Sequence, residues 1–405
     1  MTGRRMGWPL AVTVLALLGA VLPASPLRDA VTGGGVPGAS LVRSALYSAI
    51  APLSGTFDAL SLLSVPQLIA FGCSLIVVYA AWRLLRRRRT ATSGWCEFCA
   101  ALRAFLLLAL AVILAAVMPR PMARLAMDDP DAVVFDIHSH TNYSHDARAT
   151  FTVADNRAWH RAAGFDVAYV TDHRCFDGAA EGMRGNPKRA GDGTVLLSGI
   201  ELPAEQEHLL VLESPTVTVA PGLLEGWCVR AGKGTPPQGE PVIIETIPEQ
   251  LGWMVQLRPG RQSGLTGIEI SDGAPRGIAQ AQRDRGLILH LAGALDLAPL
   301  AGSNNHGWGR TAVAWNVMRI QGWRDLAPDS VGRLIEVRLR AERGRAVTVV
   351  ERRSPFAGGP VAVALTLPAM IVNLARTISW PERLAWLAWA WAAWGLAMFV
   401  RKRAA

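Results

Sequence analysis

Apolar positions along the chain follow two regimes. Five stretches are apolar almost without a break: residues 6–27 and 59–82 hold no charge, 104–119 is a dense Leu/Ala/Val run, 354–375 is uncharged, and 384–400 is apolar with Trp386, Trp389, Trp391 and Trp394. Each is long enough, or nearly so, to form a helix across a bilayer. The pattern predicts a membrane region at 1–127 with three helices near 8–23, 62–83 and 102–118. It predicts a second membrane region at 354–405, with a helix at 356–375 and a Trp-rich helix at 384–400. Between them, from 128 to 353, short apolar runs alternate with polar turns. Strands are predicted at 132–137, 166–171, 195–202, 208–213, 241–247, 266–271, 298–303 and 311–320, and helices at 152–163, 277–291 and 330–343, with a Pro- and Gly-rich loop at 215–240. Strands alternating with helices over this length indicate an α/β domain with a parallel sheet, open or closed as a barrel.

The formal charge of +9 changes where a partner is sought. Residues 1–127 hold 12 Arg and 3 acids, which accounts for the whole excess, whereas 128–355 is net acidic with 24 basic and 28 acidic residues. The polar domain therefore offers a phosphate backbone no bulk attraction, and no nucleic-acid partner is expected. The basic residues report topology instead. Arg4 and Arg5 precede the first apolar core as in a signal peptide, but Leu22-Pro23-Ala24 is a poor cleavage site, so the segment reads as an uncleaved anchor. With Arg4, Arg5 and the tetrad Arg86-Arg87-Arg88-Arg89 inside, three spans put 120–353 outside the cytoplasm, in the manner of an integral protein of a bacterial inner membrane. Arg401-Lys402-Arg403 then returns to the inside if 354–375 crosses and 384–400 lies in the interface. Cys96 and Cys99 form a lone CxxC without a second pair, a weak zinc or redox signal, and Cys175 and Cys228 pair only in an oxidising compartment.

Ionisable residues gather at the predicted strand ends. The first strand runs into Asp136-Ile-His138-Ser-His140 and on to Ser144-His145-Asp146; the next ends in Thr171-Asp172-His173. Gly199-Ile-Glu201 closes the third, His208 opens the fourth, and 298–303 runs into Gly302-Ser303-Asn304-Asn305-His306. Six of the 8 His sit in or beside these turns. In a parallel barrel those ends meet on one face, and His with carboxylate suits Zn, Mn or Fe. His160 and His290 read as satisfied core histidines, and Asp172 as a hydrogen-bond partner fixing a ring tautomer.

These turns, in this order, resemble the polymerase and histidinol phosphatase (PHP) superfamily over about residues 131–310. The resemblance implies a distorted (β/α)7 TIM-like barrel, two or three Zn, Mn or Fe ions, and hydrolysis of a phosphoester. It implies that His138 and His140 hold one metal, that Glu201 bridges two, that His208 serves the second, and that Asp146, His173 and His306 hold the third. Two positions depart from the family pattern. The last turn commonly reads Asp-x-His, where this chain has Asn304-Asn305-His306, leaving an amide carbonyl as the donor. A His is also common at the end of a strand such as 241–247, where Glu245 is the nearby candidate. Weaker metal affinity or fewer metals follows. Arg310 after the last turn either clamps a phosphoryl oxygen or pairs with a barrel carboxylate, Arg174 has the same two readings, and His145 either contacts substrate or a ligand, or is a surface residue.

The expected function is a membrane-anchored phosphoesterase that hydrolyses a phosphorylated small molecule with a metal-activated water. The alternatives are a catalytically silent metal-binding sensor or scaffold of the same fold, and an amidohydrolase-type enzyme.

Overall fold

A computed structural model describes residues 7–87, 94–204, 207–212, 241–248, 264–353 and 362–403. Arg4, Arg5, Arg88, Arg89, the loop expected at 215–240 with Cys228, and the start of the 354–375 stretch lie outside the described residues. The chain divides into two compact units: Leu27–Val42 with Ala123–Arg352, and Met1–Pro26 with Arg43–Met122 and Arg353–Ala405.

The first unit is mixed α/β. Its strands are β1 (Leu27–Asp29), β2 (Ala39–Val42), β3 (Arg124–Met127), β4 (Ala132–Asp136), β5 (Val167–Val170), β6 (Val195–Ala204), β7 (Glu207–Leu212), β8 (Val242–Glu245), β9 (Gly267–Asp272), β10 (Ala298–Gly302), β11 (Ala314–Arg319) and β12 (Thr348–Arg352). Ten of them form one curled sheet in the order β1-β12-β11-β4-β5-β6-β7-β8-β9-β10, and β2 pairs with β3. β4, β5, β8 and β9 are buried at every position, and β4, β5 and β8 accordingly read as apolar runs up to a closing residue rather than as alternation. Val133, Phe135, Tyr169, Leu197, Leu210, Ile243, Ile268 and Leu300 build the core between them.

The sheet is not all parallel. β4–β5–β6 and β8–β9–β10 run parallel, but β6–β7, β7–β8, β4–β11 and β11–β12 are antiparallel. Only two residues separate Ala204 from Glu207, and a parallel crossover needs about a dozen, so this pair has to be a hairpin. β10 meets β4 without a ladder: Asn304 N donates to His138 O at 2.8 Å, Ser303 N to Asp136 Oδ1 at 2.9 Å, and Ser139 bridges Asn305.

Helix Val153–Ala163 packs against β3, β5 and helix Asp177–Arg184, and its ends are fixed. Thr152 and Asp155 form a capping box, and Gly164 closes the helix at φ +90°. A Cβ on Gly164 would lie 2.4 Å from Leu125 O, so Gly164→Ala meets both a left-handed backbone and a carbonyl. We expect it to cost about 2 kcal/mol, read as an earlier denaturant midpoint in the fluorescence of the Trp residues nearby. His160 is buried on this helix, its Nε2 2.8 Å from Asp136 Oδ2 and its Nδ1 2.8 Å from Asn156 O. His290 is exposed instead of buried: on helix Pro275–Ala294, Ile288 faces the core and two further residues turn the chain to the opposite side. Helix Asp177–Arg184 has no counterpart in the sequence pattern. Its two glycines mask it; a Cβ on Gly182 would lie 2.9 Å from the Leu196 side chain, so close packing on β6 holds what propensity would not.

The second unit is helical, with Gly7–Val21, Ala45–Ala49, Ala51–Ser61, Val65–Arg87, Gly94–Val117, Ala362–Thr377 and Trp380–Arg403. By length and composition, Val65–Arg83 and Trp380–Val400 are apolar enough to cross a membrane; Gly7–Val21 and Phe98–Leu114 are shorter apolar helices. The last helix is longer than the pattern at 384–400 suggested, because its two early charges are satisfied. Ser379 N and Oγ donate to Glu382 Oε2 at 2.7 Å each, and Arg43 Nε lies 3.1 Å from the same oxygen. Arg383 donates to the carbonyls of Ala16, Ala375 and Gly19 at 2.8, 2.6 and 3.1 Å. Cys96 and Cys99 sit on one helix.

Candidate metal centre

Each ionisable turn hangs from a strand whose position is fixed by the sheet. The β6–β7 hairpin pairs Pro203 with His208 and so swings the His208 ring back over Glu201, with Nδ1 2.6 Å from Oε1. Beyond β5, His173 forms a parallel bridge to Glu201, and Arg174 takes a left-handed φ of +56° that lets its N–H reach Glu201 O at 3.1 Å. The loop after β4 is tied down at Thr141, whose N and Oγ1 donate to Asp172 at 2.6 and 2.7 Å. Asp172 therefore holds a loop rather than an imidazole, which corrects its expected role. A Cβ on Gly178 would lie 2.2 Å from Asp172 Oδ2, so a glycine there leaves room for that carboxylate.

Eight of the expected positions can now be placed. His140, Asp146, His173 and His306 form one donor group, His138, His140 and Glu201 a second, and His173, Glu201 and His208 a third, the donor atoms within each lying within 4.8 Å. Glu201 Oε2 is 3.1 Å from His138 Nε2, 3.2 Å from His140 Nε2 and 3.5 Å from His173 Nε2. Asp146 Oδ2 is 3.0 Å from His306 Nε2 and 3.3 Å from His173 Nε2, and Ser144 Oγ donates to its other oxygen at 2.8 Å. The eighth, Asn304, is tied to Asp272: its Nδ2 donates to Asp272 Oδ2 at 3.0 Å, and its buried Oδ1 has no hydrogen-bond partner. The centre is graded from inside to outside. His138 and His140 are fully buried, whereas the side chains of Asp146 and His208 are 40% and 48% exposed, so access comes from the Asp146 and His208 side.

His145 is exposed, its ring centroid 5.1 Å from that of His173. Arg310 is half-buried just beyond a turn fixed by Asn305 Oδ1, which accepts from Gly307 N and Gly309 N at 2.9 and 3.0 Å. Glu245 is fully buried on β8, paired in register with Leu209, next to His208.

Burial and charge set unusual protonation. Burial pushes Glu201 up, but His138, His140 and His208 outweigh it and hold its carboxyl far below the carboxylate range. His138 is pushed down by burial, yet Glu269 and Glu201 raise it well above an ordinary imidazole. Burial drives His140 down to about 3 and lowers His173 as well. A donor set of this kind fits a divalent cation. Three imidazole nitrogens, His138 Nε2, His140 Nε2 and His173 Nε2, converge within 3.5 Å of the single oxygen Glu201 Oε2, a gathering of lone pairs and negative charge that suits a cation.

Two carboxylates of this neighbourhood carry no motif in the sequence. Glu269 Oε1 lies 2.9 Å from His138 Nδ1, and Asp272 holds Asn304. The one available signal is an acid inside an otherwise apolar strand, Gly267-Ile268-Glu269-Ile270, since a fully buried carboxylate needs a partner.

No protein-family model matches the chain, and no curated relative does. Among solved structures, it is similar to PsfC from Pseudomonas syringae, with 19% identity, a TM-score of 0.36, and coverage of 60% of this chain and 98% of that one. It is similar to an amidohydrolase from Chromobacterium violaceum, with 16% identity, a TM-score of 0.30, and coverage of 48% and 98%. It is also similar to a two-domain protein from Bacteroides vulgatus containing a predicted PHP-like metal-dependent phosphoesterase, with 16% identity, a TM-score of 0.30, and coverage of 55% and 65%. Likeness at this level carries no statement about activity. Function is read from this chain's own side chains.

Proposed function

We propose that the α/β unit is a metal-dependent phosphoesterase on a distorted PHP-type barrel, acting on a phosphorylated small molecule. The observation that carries this reading is the trio of donor groups joined by shared members, His140, His173 and Glu201. His138, His140 and Glu201 would hold one ion, His173, Glu201 and His208 a second, and Asp146, His173 and His306 a third. Such ions supply Lewis acidity for phosphoryl oxygens and lower the pKa of water toward neutrality. The chain's own contribution is placement. Glu201 draws three turns onto one point, and Asp172 fixes the loop that carries Asp146. Arg310 offers a planar fork for two phosphoryl oxygens, and His145 can hand a proton to the leaving oxygen as the P–O bond breaks. The full-length protein, assayed for bound metal and for hydrolysis of p-nitrophenyl phosphate and bis-p-nitrophenyl phosphate, tests this. Metal-dependent turnover that falls with His138→Ala supports it. Bound metal without turnover supports the silent sensor, which Asn304 and Glu245 favour by standing where Asp and His are usual, and absence of metal overturns both.

We also propose that the helical unit anchors the protein in a membrane with 120–353 on the extracytoplasmic side. Support comes from the last two helices. Arg353 N donates to Pro26 O, Ala24 N donates to Arg376 O, and Arg376 Nε donates to Leu22 O, so Arg353 and Arg376 both stand beside the C-terminal end of the first helix. Trp380–Arg403 then runs antiparallel to Gly7–Val21, with Arg383 against Gly19 and Trp391 Nε1 3.2 Å from Thr13 Oγ1. We therefore assign the crossing to the final helix in place of the 354–375 span expected from the sequence, and Arg401-Lys402-Arg403 would then join the other basic clusters inside. Reporter fusions should read extracytoplasmic at 125 and cytoplasmic at 405. A cytoplasmic signal at 125 would reverse the topology.

A further inference from the structure

Glu269 and Asp272 lie three residues apart on β9, an odd spacing that in a regular strand points two side chains to opposite faces. Both nevertheless reach residues of the candidate metal centre. The pairing with β10 explains this: Glu269 faces Leu300 and Ser271 faces Ala301, so one residue of β9 is left over and the register shifts. A bulge of this kind re-aims the side chain that follows it. The two carboxylates are then used alike. Each fixes one oxygen on a backbone N–H, Glu269 Oε2 on Ile247 at 3.2 Å and Asp272 Oδ1 on Ala274 at 2.6 Å. Each turns its other oxygen to a side chain, Glu269 to His138 Nδ1 at 2.9 Å and Asp272 to Asn304 Nδ2 at 3.0 Å. Glycines make room for both. A Cβ on Gly302 would lie 2.1 Å from Glu269 Oε1, and one on Gly277 would lie 2.4 Å from Asp272 Oδ2.

We infer that β9 carries a pair of positioning carboxylates, Glu269 turning His138 Nε2 and Asp272 turning Asn304 Oδ1 toward the ion held with His140 and Glu201. The inference rests on the metal reading above. A carboxylate on Nδ1 fixes the tautomer that leaves Nε2 free to ligate. An amide held by its NH2 must direct its oxygen the other way, and Asn304 Oδ1 is buried with no other hydrogen-bond partner. Asn304 is thereby matched to Asp272. An Asp at 304 would set two carboxylates about 3 Å apart, whereas the amide donates the tethering hydrogen bond through its NH2 and still offers an oxygen. The negative charge usual in the last turn sits one side chain further back.

The test is a titration of the metal-free full-length protein with Zn2+ and with Mn2+ against a chromogenic chelator, together with the melting temperature of the metal-free form. Glu269→Gln and Asp272→Asn should each weaken the affinity about 10- to 100-fold without lowering that melting temperature, since each keeps the backbone hydrogen bond and removes a buried charge. The double variant Asp272→Asn/Asn304→Asp exchanges the same atoms between the two positions and should bind within about threefold of the parent or tighter, because a carboxylate ligates better than an amide. If Glu269→Gln melts lower, the exchanged pair decides. Parent-like affinity in both single variants, or no recovery in the exchanged pair, overturns the inference and leaves the metal reading standing. No binding by the parent overturns both.

Discussion

Glu201→Gln is expected to remove at least one equivalent of bound metal from the full-length protein and to lower phosphoester hydrolysis on the order of 10³-fold or more. Among the described residues, no other has so many obligations in the centre. Glu201 belongs to two of the three donor groups, and its oxygens lie within 3.5 Å of four imidazoles, those of His138, His140, His173 and His208. Gln keeps the shape and one carbonyl oxygen, but its NH2 meets imidazole nitrogens that are themselves donors or would be ligands, and the negative charge that the two proposed ions would share is gone. His208→Ala should be milder. That ring is 48% exposed and belongs to one group, so a loss confined to one equivalent is expected. Metal content by mass spectrometry of the purified variants, with turnover measured at saturating Mn2+ or Zn2+, checks both. Equal metal content in Glu201→Gln and parent would remove Glu201 from the centre altogether.

Much of this arrangement was legible because its elements announce themselves locally. β4 and β5 are buried on both faces and stand out as short apolar runs, and the His and acidic residues follow directly at or after β4, β5 and β10. What was not legible depends on contacts between distant residues. Leu27–Asp29 is three residues long and is a strand only because Leu27 pairs with Arg352 at the far end of the chain. The direction of β7 follows from a two-residue gap that an apolar pattern does not weigh. Glu269 and Asp272 belong to no sequence motif, and their common use depends on a register shift against β10. Asn304 likewise reads as a lost carboxylate until Asp272 is seen beside it. Helix Asp177–Arg184 shows the same limit, since glycines lower local helix propensity while permitting the close approach that holds the helix in place.

The largest expected effect on stability lies in the helical unit. Asp58 and Arg120 are almost wholly inaccessible, with side chains 2% and 1% exposed, and Arg120 Nε lies 3.2 Å from Asp58 Oδ1. Tyr47 OH donates to Asp58 Oδ2 at 2.9 Å, Arg120 Nη2 donates to Ser61 Oγ at 3.2 Å, and the Arg120 guanidinium stands 5.8 Å from the centre of the Phe57 ring. The pair links helix Ala51–Ser61 to the segment that follows Gly94–Val117, 62 residues further along the chain. Removing one partner leaves a charge buried without its counterion, which costs about 3–5 kcal/mol; Asp58→Ala and Arg120→Ala should each lower the melting temperature of the detergent-solubilised protein by roughly 10 °C. Tyr47→Phe removes one hydrogen bond to a charged acceptor and should cost about 2 kcal/mol. The decisive comparison is Asp58→Leu/Arg120→Met. Replacing both charges with apolar groups removes the desolvation penalty along with the attraction, so the double variant should melt near the parent while either single variant melts well below it. If the double variant loses as much as the two singles together, the pair acts through shape and packing on Phe57 rather than through charge.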